Sequence, residues 1–191
     1  MTNENRSAAI HWVRTYGKTI AITVIVVFVI RWKVVEPFFI PSSSMEPTLK
    51  QMDRILVSKV TYDLRRPGRW DVVVFRRRAP DDDPEKRNRN FVKRIVGLPG
   101  ETLQIVGGEV YIDGKREEKP DGLRSISYSN MGKWGTKEAV SIPAGSYFVL
   151  GDNTDFSNDS RGWPHPFVLQ KDIIGQAVTV IWPPGRIDLI R

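Results

Sequence analysis

Short runs of apolar and β-branched residues, separated by Gly, Pro, Asn and Asp, fill most of the chain after residue 53. Runs of this kind, bounded by turn residues, are typical of antiparallel β-strands. Gly107-Gly108 stands between two such runs and predicts a two-residue hairpin. The pattern therefore predicts a mainly β domain in which the polar stretch 115–138 forms a variable excursion or a small cap. The predicted strands cover 54–60, 71–75, 91–96, 102–106, 109–113, 147–150 and 176–182.

The N-terminal part differs, because residues 19–30 form one continuous apolar run. This run is shorter than the ~20 residues that a membrane-spanning helix needs. Snorkelling by Lys18, Arg31 and Lys33 extends it to about 30 Å at roughly 1.5 Å per residue. Because no small-x-small cleavage site follows, the run predicts one uncleaved transmembrane helix rather than a removable leader. The predicted organisation is an N-terminal arm over 1–15, the anchor over 16–35 and a β-rich domain over 36–191.

Composition narrows the chemistry. The 191 residues include no cysteine and only two histidines, His11 and His165. Disulfides, thiol catalysis and thiolate metal sites are therefore excluded, and a multi-histidine metal site is disfavoured. We expect no metal and no cofactor.

The formal net charge of +7 favours anionic partners. The excess lies in arginine-rich stretches over 65–69, 76–78 and 86–94, interrupted by the acidic run 81–85. A solvated loop with charges of both signs is the simpler interpretation, and a lipid-facing patch is the alternative. Nucleic-acid binding is disfavoured, because no zinc finger, RNP-like motif or basic helix accompanies the charge.

A serine-rich segment, Pro41-Ser42-Ser43-Ser44-Met45-Glu46-Pro47, follows the predicted anchor. Ser43 and Glu46 have the spacing of a helix capping box, but Pro47 lacks the N–H that such a helix needs. The segment therefore favours a rigid turn. Such a turn exposes a hydroxyl and directs backbone N–H groups at one point, as acyl transfer requires. From spacing alone, a nucleophile and a purely structural turn are equally supported.

The predicted strand over 91–96 carries a lysine among apolar residues, with Phe91, Lys93 and Ile95 on one face. A lysine with the reference pKa of about 10.4 is almost fully protonated at pH 7 and cannot act as a base. Burial disfavours the ammonium form and can lower the pKa by several units. Lys93 is thus a candidate general base, and a snorkelling lysine at a strand edge is the alternative.

Two other candidates remain open at this point. His165, flanked by prolines near an acidic stretch, could complete a Ser-His-Asp arrangement, although a surface-loop role is simpler. The polar run 151–161 could be taken for a calcium loop, but it lacks the spacing and terminal glutamate of an EF-hand. A hydrogen-bonded loop with an internal Asp–Arg pair is the more economical interpretation.

Three segments in order, after an apolar anchor, resemble the boxes of the type I signal peptidases. These are membrane-anchored serine endopeptidases with a Ser/Lys dyad. The matching segments are PSSSMEPTL at 41–49, FVKRIVGLPG at 91–100 and GDNTDFSNDSR at 151–161. Residues 69–75 are also similar to a family strand, with Trp70 in place of the usual glycine. Thr154 occupies a position where arginine is frequent in this family. Part of the ion-pair network that the family has around its site is therefore in question for this chain.

The resemblance implies a role for each matching residue. Ser44 would be the nucleophile and Lys93 the general base. The Ser42 hydroxyl and the Ser44 N–H would form the oxyanion hole, and Ser157 would orient the lysine amine. The residues expected to brace the site through ion pairs are Asp152, Asp159, Arg161 and Arg94. The residues expected to line shallow substrate pockets are Ile40, Phe91 and Val92.

The same resemblance implies a signal-peptidase-like antiparallel β catalytic domain and a location in the plasma (inner) membrane of a bacterium. The N-terminus would be cytoplasmic and the catalytic domain extracytoplasmic. The expected partners are signal-peptide-bearing precursor proteins and the lipid bilayer, with a monomeric enzyme and no nucleic acid. A specialised processing peptidase is one alternative. The non-enzymatic alternative is a membrane-tethered β domain that binds lipids or partners through its basic patch.

Overall fold

The computed structural model describes residues 3–29, 33–77 and 89–190. Within these residues the strands form two antiparallel sheets. This confirms the predicted mainly β, antiparallel class. The helices are α1, Asn3–Val29, and α2, Thr61–Leu64, with short 3-10 turns at Asp121–Leu123, Gln170–Asp172 and Pro184–Arg186.

The larger sheet carries the residues of interest. Its strands are β1 Val35–Phe39, β2 Arg54–Ser58, β3 Val72–Arg76, β4 Asn90–Gly97, β9 Ser146–Leu150, β10 Phe167–Leu169, β11 Ile173–Trp182 and β12 Asp188–Leu189. Their order is β1-β2-β11-β3-β4-β9-β10, with β12 paired to β11. The predicted strands of this sheet are therefore present with shifts of a few residues, whereas β1, β10 and β12 are strands that the sequence pattern does not predict.

The smaller sheet has the order β7-β6-β5-β8. Its strands are β5 Thr102–Val106, β6 Glu109–Ile112, β7 Lys115–Arg116 and β8 Val140–Ser141. The predicted hairpin is confirmed, since Val106 pairs with Glu109 across Gly107-Gly108, and both glycines have positive φ, 58° and 86°. Positive φ at both turn positions is the geometry that favours glycine there.

The hydrophobic core explains why β3 reads as an unbroken valine run. Val72 and Val74 pack in one apolar cluster, while Val73 and Phe75 pack in another. Because successive strand side chains point to opposite faces, the large sheet is covered on both sides at this strand. The neighbouring strand β4 is therefore placed in the interior, where a charged side chain is costly.

The predicted membrane-spanning helix over 16–35 is not found. Helix α1 begins at Asn3 and ends at Val29, and Val35 already belongs to β1. Pro37 lacks a backbone N–H and biases the residue before it to extended geometry, which favours a strand at this point. Residues 30–32 lie outside the described part. Among the residues that the structure describes, no helix is both long enough and apolar enough to cross a membrane.

Candidate active site

The serine-rich segment forms a tight turn after β1, not the start of a helix. The Glu46 N–H donates to the Ser43 carbonyl at 3.0 Å, and the Leu49 N–H donates to the Met45 carbonyl at 2.9 Å. Met45 and Leu49 are buried and anchor the turn in the core, while Ser44, immediately before Met45, is half-buried. The capping-box interpretation is therefore wrong, because no helix begins here. The burial of Met45 and Leu49 holds the segment as a turn instead.

Asn153 holds this turn from outside, a role that no sequence pattern predicts. Its backbone N–H donates to the Ser44 carbonyl at 3.2 Å, and its side-chain amide donates to the Ser43 carbonyl at 3.1 Å. Two hydrogen bonds from one residue limit the movement of the Ser44 backbone. The only sequence clue to this contact is the position of Asn153 inside the third matching segment.

Lys93 lies on β4 opposite Val73 of β3, and 3% of the residue is exposed. Its Nζ atom lies 2.5 Å from the Ser44 Oγ. The structure therefore brings together the two residues that the sequence singled out, 49 positions apart in the chain. A lysine amine at this distance can exchange a proton directly with the serine hydroxyl.

Burial lowers the pKa of Lys93 from 10.5 to about 8. The carboxylates of Asp159 and Asp152 act in the opposite direction and raise this pKa, while Arg161 lowers it. A pKa near 8 leaves about a tenth of the amine neutral at pH 7, compared with roughly one part in 2,500 for an ordinary lysine. The dominant cause is desolvation, which disfavours the charged ammonium form.

The first of two buried ion pairs joins β4 to the loop after β9. Arg94 bonds both oxygens of Asp152, with Nε–Oδ1 at 2.8 Å and Nη2–Oδ2 at 2.7 Å, and neither side chain is exposed. Thr48, within the serine turn, donates to Asp152 Oδ2 at 2.5 Å. Arg94 Nη1 also donates to the Trp70 carbonyl at 2.7 Å. This pair thus ties the lysine strand to the turn that carries Ser44.

The second ion pair lies within the 151–161 loop. Arg161 bonds both oxygens of Asp159, at 2.9 Å and 2.8 Å, and Asp159 Oδ2 accepts the Gly151 N–H at 3.0 Å. The Thr154 carbonyl accepts Arg161 Nη2 at 2.7 Å. Because Asp152 and Asp159, two of the three loop aspartates, are engaged by arginines, the hydrogen-bonded loop is favoured over a calcium loop.

Ser42 and Ser157 lie near the pair but differ in their surroundings. The exposed Ser42 Oγ is 3.4 Å from the Ser44 Oγ. The Ser157 Oγ is buried and makes no hydrogen bond within the described residues. It lies against Gly151, where an added Cβ would be 2.1 Å from the Ser157 Oγ and 2.4 Å from the Ser44 carbonyl oxygen. Only glycine at 151 allows both groups to approach so closely.

The three residues predicted to line substrate pockets do not all lie on the same face of the sheet. Ile40 and Val92 pack in the same apolar cluster, together with Met45 of the serine turn. Phe91 faces a different cluster, stacked on Phe75 with ring centroids 6.0 Å apart. The structure therefore separates Phe91 from the other two, because adjacent residues of a strand point to opposite faces.

His165, the rival base, is exposed and lines a separate cavity of about 660 Å³ with Phe75, Trp163 and Phe167. The Ser44 hydroxyl meets Lys93 and Ser42 instead. The geometry therefore favours lysine over histidine as the partner of Ser44.

Comparison with known proteins identifies the family of this chain. Residues 13–182 match the family model described as signal peptidase, peptidase S26. Signal peptidase I of Leptolyngbya laminosa is 40% identical over 171 residues, which cover 89% of this chain and 80% of that protein. Signal peptidase I of Pseudomonas aeruginosa is 36% identical, over 91% of this chain and 74% of that protein. The chain belongs to the signal peptidase family, peptidase S26.

One solved structure is also similar. A signal peptidase I from Enterococcus faecalis is 29% identical and matches 58% of this chain and 95% of its own, with a TM-score of 0.43.

Proposed function

We propose that this chain is a serine endopeptidase that removes signal peptides from exported precursor proteins, cleaving after small-x-small motifs. Ser44 is the nucleophile and Lys93 the general base. The observation that carries the proposal is the 2.5 Å approach of a buried lysine amine to a hydroxyl on a rigid turn. Membership of the signal peptidase family supports the substrate class.

The proposed reaction uses one residue for every proton transfer. Neutral Lys93 accepts the Ser44 Oγ proton while Oγ bonds to the scissile carbonyl carbon. The resulting ammonium then protonates the leaving amine as the peptide bond breaks, which leaves the signal peptide as an ester on Ser44. Lys93, neutral again, deprotonates a water molecule that hydrolyses this ester and regenerates the enzyme.

The oxyanion of each tetrahedral intermediate requires hydrogen-bond donors that are not already in use. Within the described part of the chain the Ser44 N–H donates to no acceptor. The Ser42 hydroxyl lies beside the nucleophile. We assign these two groups to the oxyanion hole, and removal of one such donor typically costs about 10²-fold or more in kcat.

Strand β4 offers an edge for an extended substrate. It pairs with β3 along Asn90–Arg94, but with β9 only from Arg94 onward. The β9 side of its first residues, up to Lys93, therefore has no strand partner among the described residues. An extended precursor segment can add there as a further strand, which is a common mode of peptide recognition. The apolar cluster of Ile40 and Val92 then limits the adjacent substrate positions to small side chains.

Helix α1 supports a function at a lipid bilayer. Its C-terminal part exposes several large apolar side chains, including Ile22, Ile25 and Phe28, each more than half exposed. Apolar surface of this kind is favourable in a membrane and unfavourable in water. We propose that this part of α1 contacts the lipid bilayer at the bacterial plasma membrane. The extracytoplasmic position of the catalytic domain and the monomeric state remain predictions.

The direct test incubates the purified protein in detergent micelles with a precursor peptide carrying a small-x-small motif. Mass spectrometry of the products should show cleavage after the motif. Ser44→Ala should show none, and a bulky residue immediately before the scissile bond should protect the peptide. Cleavage by Ser44→Ala at the rate of the unmodified protein would refute the assignment.

The rival assignments have their own tests. Retained turnover in Lys93→Ala, with loss in His165→Ala, would move the base to the histidine. The non-enzymatic alternative relies on free arginines, yet Arg65 pairs with Asp71 and Arg69 with Glu101, each at 2.7 Å. These contacts favour the enzyme over a lipid-binding or partner-binding basic patch.

A further inference from the structure

Part of the polar excursion 115–138 wraps around Arg161, a residue of the buried ion-pair network. The Ser129 carbonyl accepts Arg161 Nη1 at 2.9 Å. The backbone N–H groups of Lys133 and Trp134 both donate to the Arg161 carbonyl, at 2.7 Å and 3.1 Å. The excursion therefore holds Arg161 by its side chain and by its main chain. We call residues 128–134 the Arg161 clamp.

The clamp is itself anchored at both ends. Tyr128 is 1% exposed and packs in the apolar cluster that joins the two sheets. The indole N–H of Trp134 donates to the Trp163 carbonyl at 2.9 Å. At Gly132 the backbone passes so close to Arg161 that an added Cβ would lie 2.6 Å from the Arg161 Cβ and 2.9 Å from its carbonyl oxygen.

A continuous set of contacts leads from the clamp to the reacting groups. Arg161 bonds Asp159, which accepts the Gly151 N–H, and Gly151 lies against the Ser44 carbonyl. Asp159 and Arg161, with Asp152, are also the charged groups that act on the Lys93 amine. Moving the Arg161 guanidinium therefore changes both the support of the Ser44 turn and the electric field at Lys93.

We propose that the Arg161 clamp is a positioning element of the catalytic site, which holds the Arg161 guanidinium against Asp159 beside the turn that carries Ser44. The proposal rests on the proposed peptidase function and assigns a role to a segment that the sequence left without one. Arg161 lowers the pKa of Lys93, whereas Asp159 raises it. Displacing Arg161 while Asp159 remains would therefore raise the pKa and reduce the neutral fraction of the amine.

The test compares two glycine substitutions in the full chain. Gly132→Ala forces a methyl group against Arg161, whereas Gly114→Ala, also at positive φ, places its methyl group where nothing lies within 4 Å. Both variants place a side chain at positive φ, and the backbone cost is larger at Gly132, with φ of 135°, than at Gly114, with φ of 77°. Only Gly132→Ala disturbs the clamp, so Gly114→Ala controls for general destabilisation.

The readouts are the pH dependence of kcat/KM for a precursor peptide and the thermal unfolding midpoint. For Gly132→Ala we expect the midpoint of the pH profile to rise by about half a unit or more. We also expect kcat to fall by about tenfold, with little change in KM. Gly114→Ala should keep the profile of the unmodified protein. A Gly132→Ala protein that is less stable but has an unmoved pH midpoint would overturn the proposal.

Trp134→Phe provides a second route if Gly132→Ala does not fold. It removes the hydrogen bond to Trp163 but keeps an aromatic ring at this position, and we expect a smaller upward shift of the same midpoint. An unmoved midpoint there would also overturn the proposal. If the unmodified protein cleaves nothing, the peptidase assignment fails instead. NMR titration of Lys93 in the same variants would then still test the positioning role of the clamp, because the expected rise in the pKa of Lys93 does not require turnover.

Discussion

Two lysines in this protein are almost equally inaccessible to solvent, yet their surroundings differ. Lys93 in the large sheet is 3% exposed and Lys119 beside the small sheet is 9% exposed. The Lys119 amine meets the carbonyls of Gly108 and Ile126, at 3.2 Å and 2.6 Å, and the Glu109 carboxylate at 3.3 Å. Among the residues that the structure describes, the Lys93 amine instead has one hydrogen-bond partner, the Ser44 hydroxyl.

This difference shows why burial alone does not make a base. An ammonium group carries three donors, and the surroundings of Lys119 supply an acceptor for each. Within the described ranges the surroundings of Lys93 supply one hydroxyl and no directly bonded carboxylate, so desolvation lowers its pKa to about 8. The contacts of Lys119 therefore give it a structural role, whereas Lys93 is poised to exchange a proton.

The largest expected effect is on activity. Lys93→Met keeps the approximate shape of the side chain but removes the proton acceptor, so we expect cleavage to fall by about 10³-fold or more. Lys119→Met is the matched control, and we expect its cleavage rate to stay within a factor of about three. Both are measured as initial rates on one precursor peptide. Equal losses in the two variants would contradict the division of roles.

The next effect is on stability as a function of pH. The pKa of Lys93 is lower in the folded protein, so the folded state binds this proton less tightly than the unfolded state does. The contribution of Lys93 to stability is therefore complete above its ordinary pKa of 10.5. It decreases as the pH falls and is lost as the pH passes through the folded-state pKa of about 8. Between these two limits the contribution of Lys93 to the free energy of unfolding changes by about 3 kcal/mol.

Denaturant unfolding at pH 7.5 and pH 10.5 measures this difference. The unmodified protein should gain stability relative to Lys93→Met as the pH rises, since the variant lacks the titrating group. Subtracting the variant removes the contributions of other residues that titrate in the same range. A constant difference between the two proteins would show that Lys93 titrates normally.

A smaller loss of stability is expected when the structural lysine is removed. Lys119→Met leaves two carbonyl groups and the Glu109 carboxylate without their partner, which typically costs about 1–3 kcal/mol. Lys93→Met at pH 7.5 should cost less, because it removes a poorly solvated charge and adds apolar surface. Thermal unfolding of both variants at one pH provides the comparison, and the reverse order would contradict it.

The smallest expected effect is on kcat and comes from loosening the turn that carries Ser44, the hydrogen-bond partner of Lys93. Asn153→Ala removes the side-chain bond to the Ser43 carbonyl but retains the backbone bond to the Ser44 carbonyl. The turn should then hold Ser44 less firmly, and we expect kcat to fall by about tenfold with little change in stability. Steady-state kinetics at several substrate concentrations would detect this change. An unaltered kcat would show that the backbone bond is sufficient.

Much of the fold could be predicted because its information is local. The valine run of β3 and the glycine pair after β5 each specify their own geometry through apolar pattern or positive φ. The approach of Ser44 to Lys93 was anticipated from the chemistry of the two segments together with their resemblance to a family. Patterns of this kind are carried by side-chain identity, which the sequence records directly.

Other features depend on contacts that the sequence does not record. Asn153 and the Arg161 clamp act largely through backbone atoms, so no residue type marks them. The resemblance to the family places Phe91 in a pocket with Val92, yet adjacent strand positions point to opposite faces of the sheet. Only the packing shows that Val92, and not Phe91, lies on the face that contains Ile40. The end of α1 before Val35 depends on a competition between helix and strand that the apolar run alone did not reveal.

The most direct test is the titration of the Lys93 amine in the intact protein. Carbon-13 NMR with lysines labelled at Cε would follow it, with Lys93→Met used to assign the resonance. We predict an apparent pKa of about 8 for this one lysine. A resonance that titrates near the ordinary value of 10.5 would contradict the claim that burial prepares Lys93 to accept the Ser44 proton.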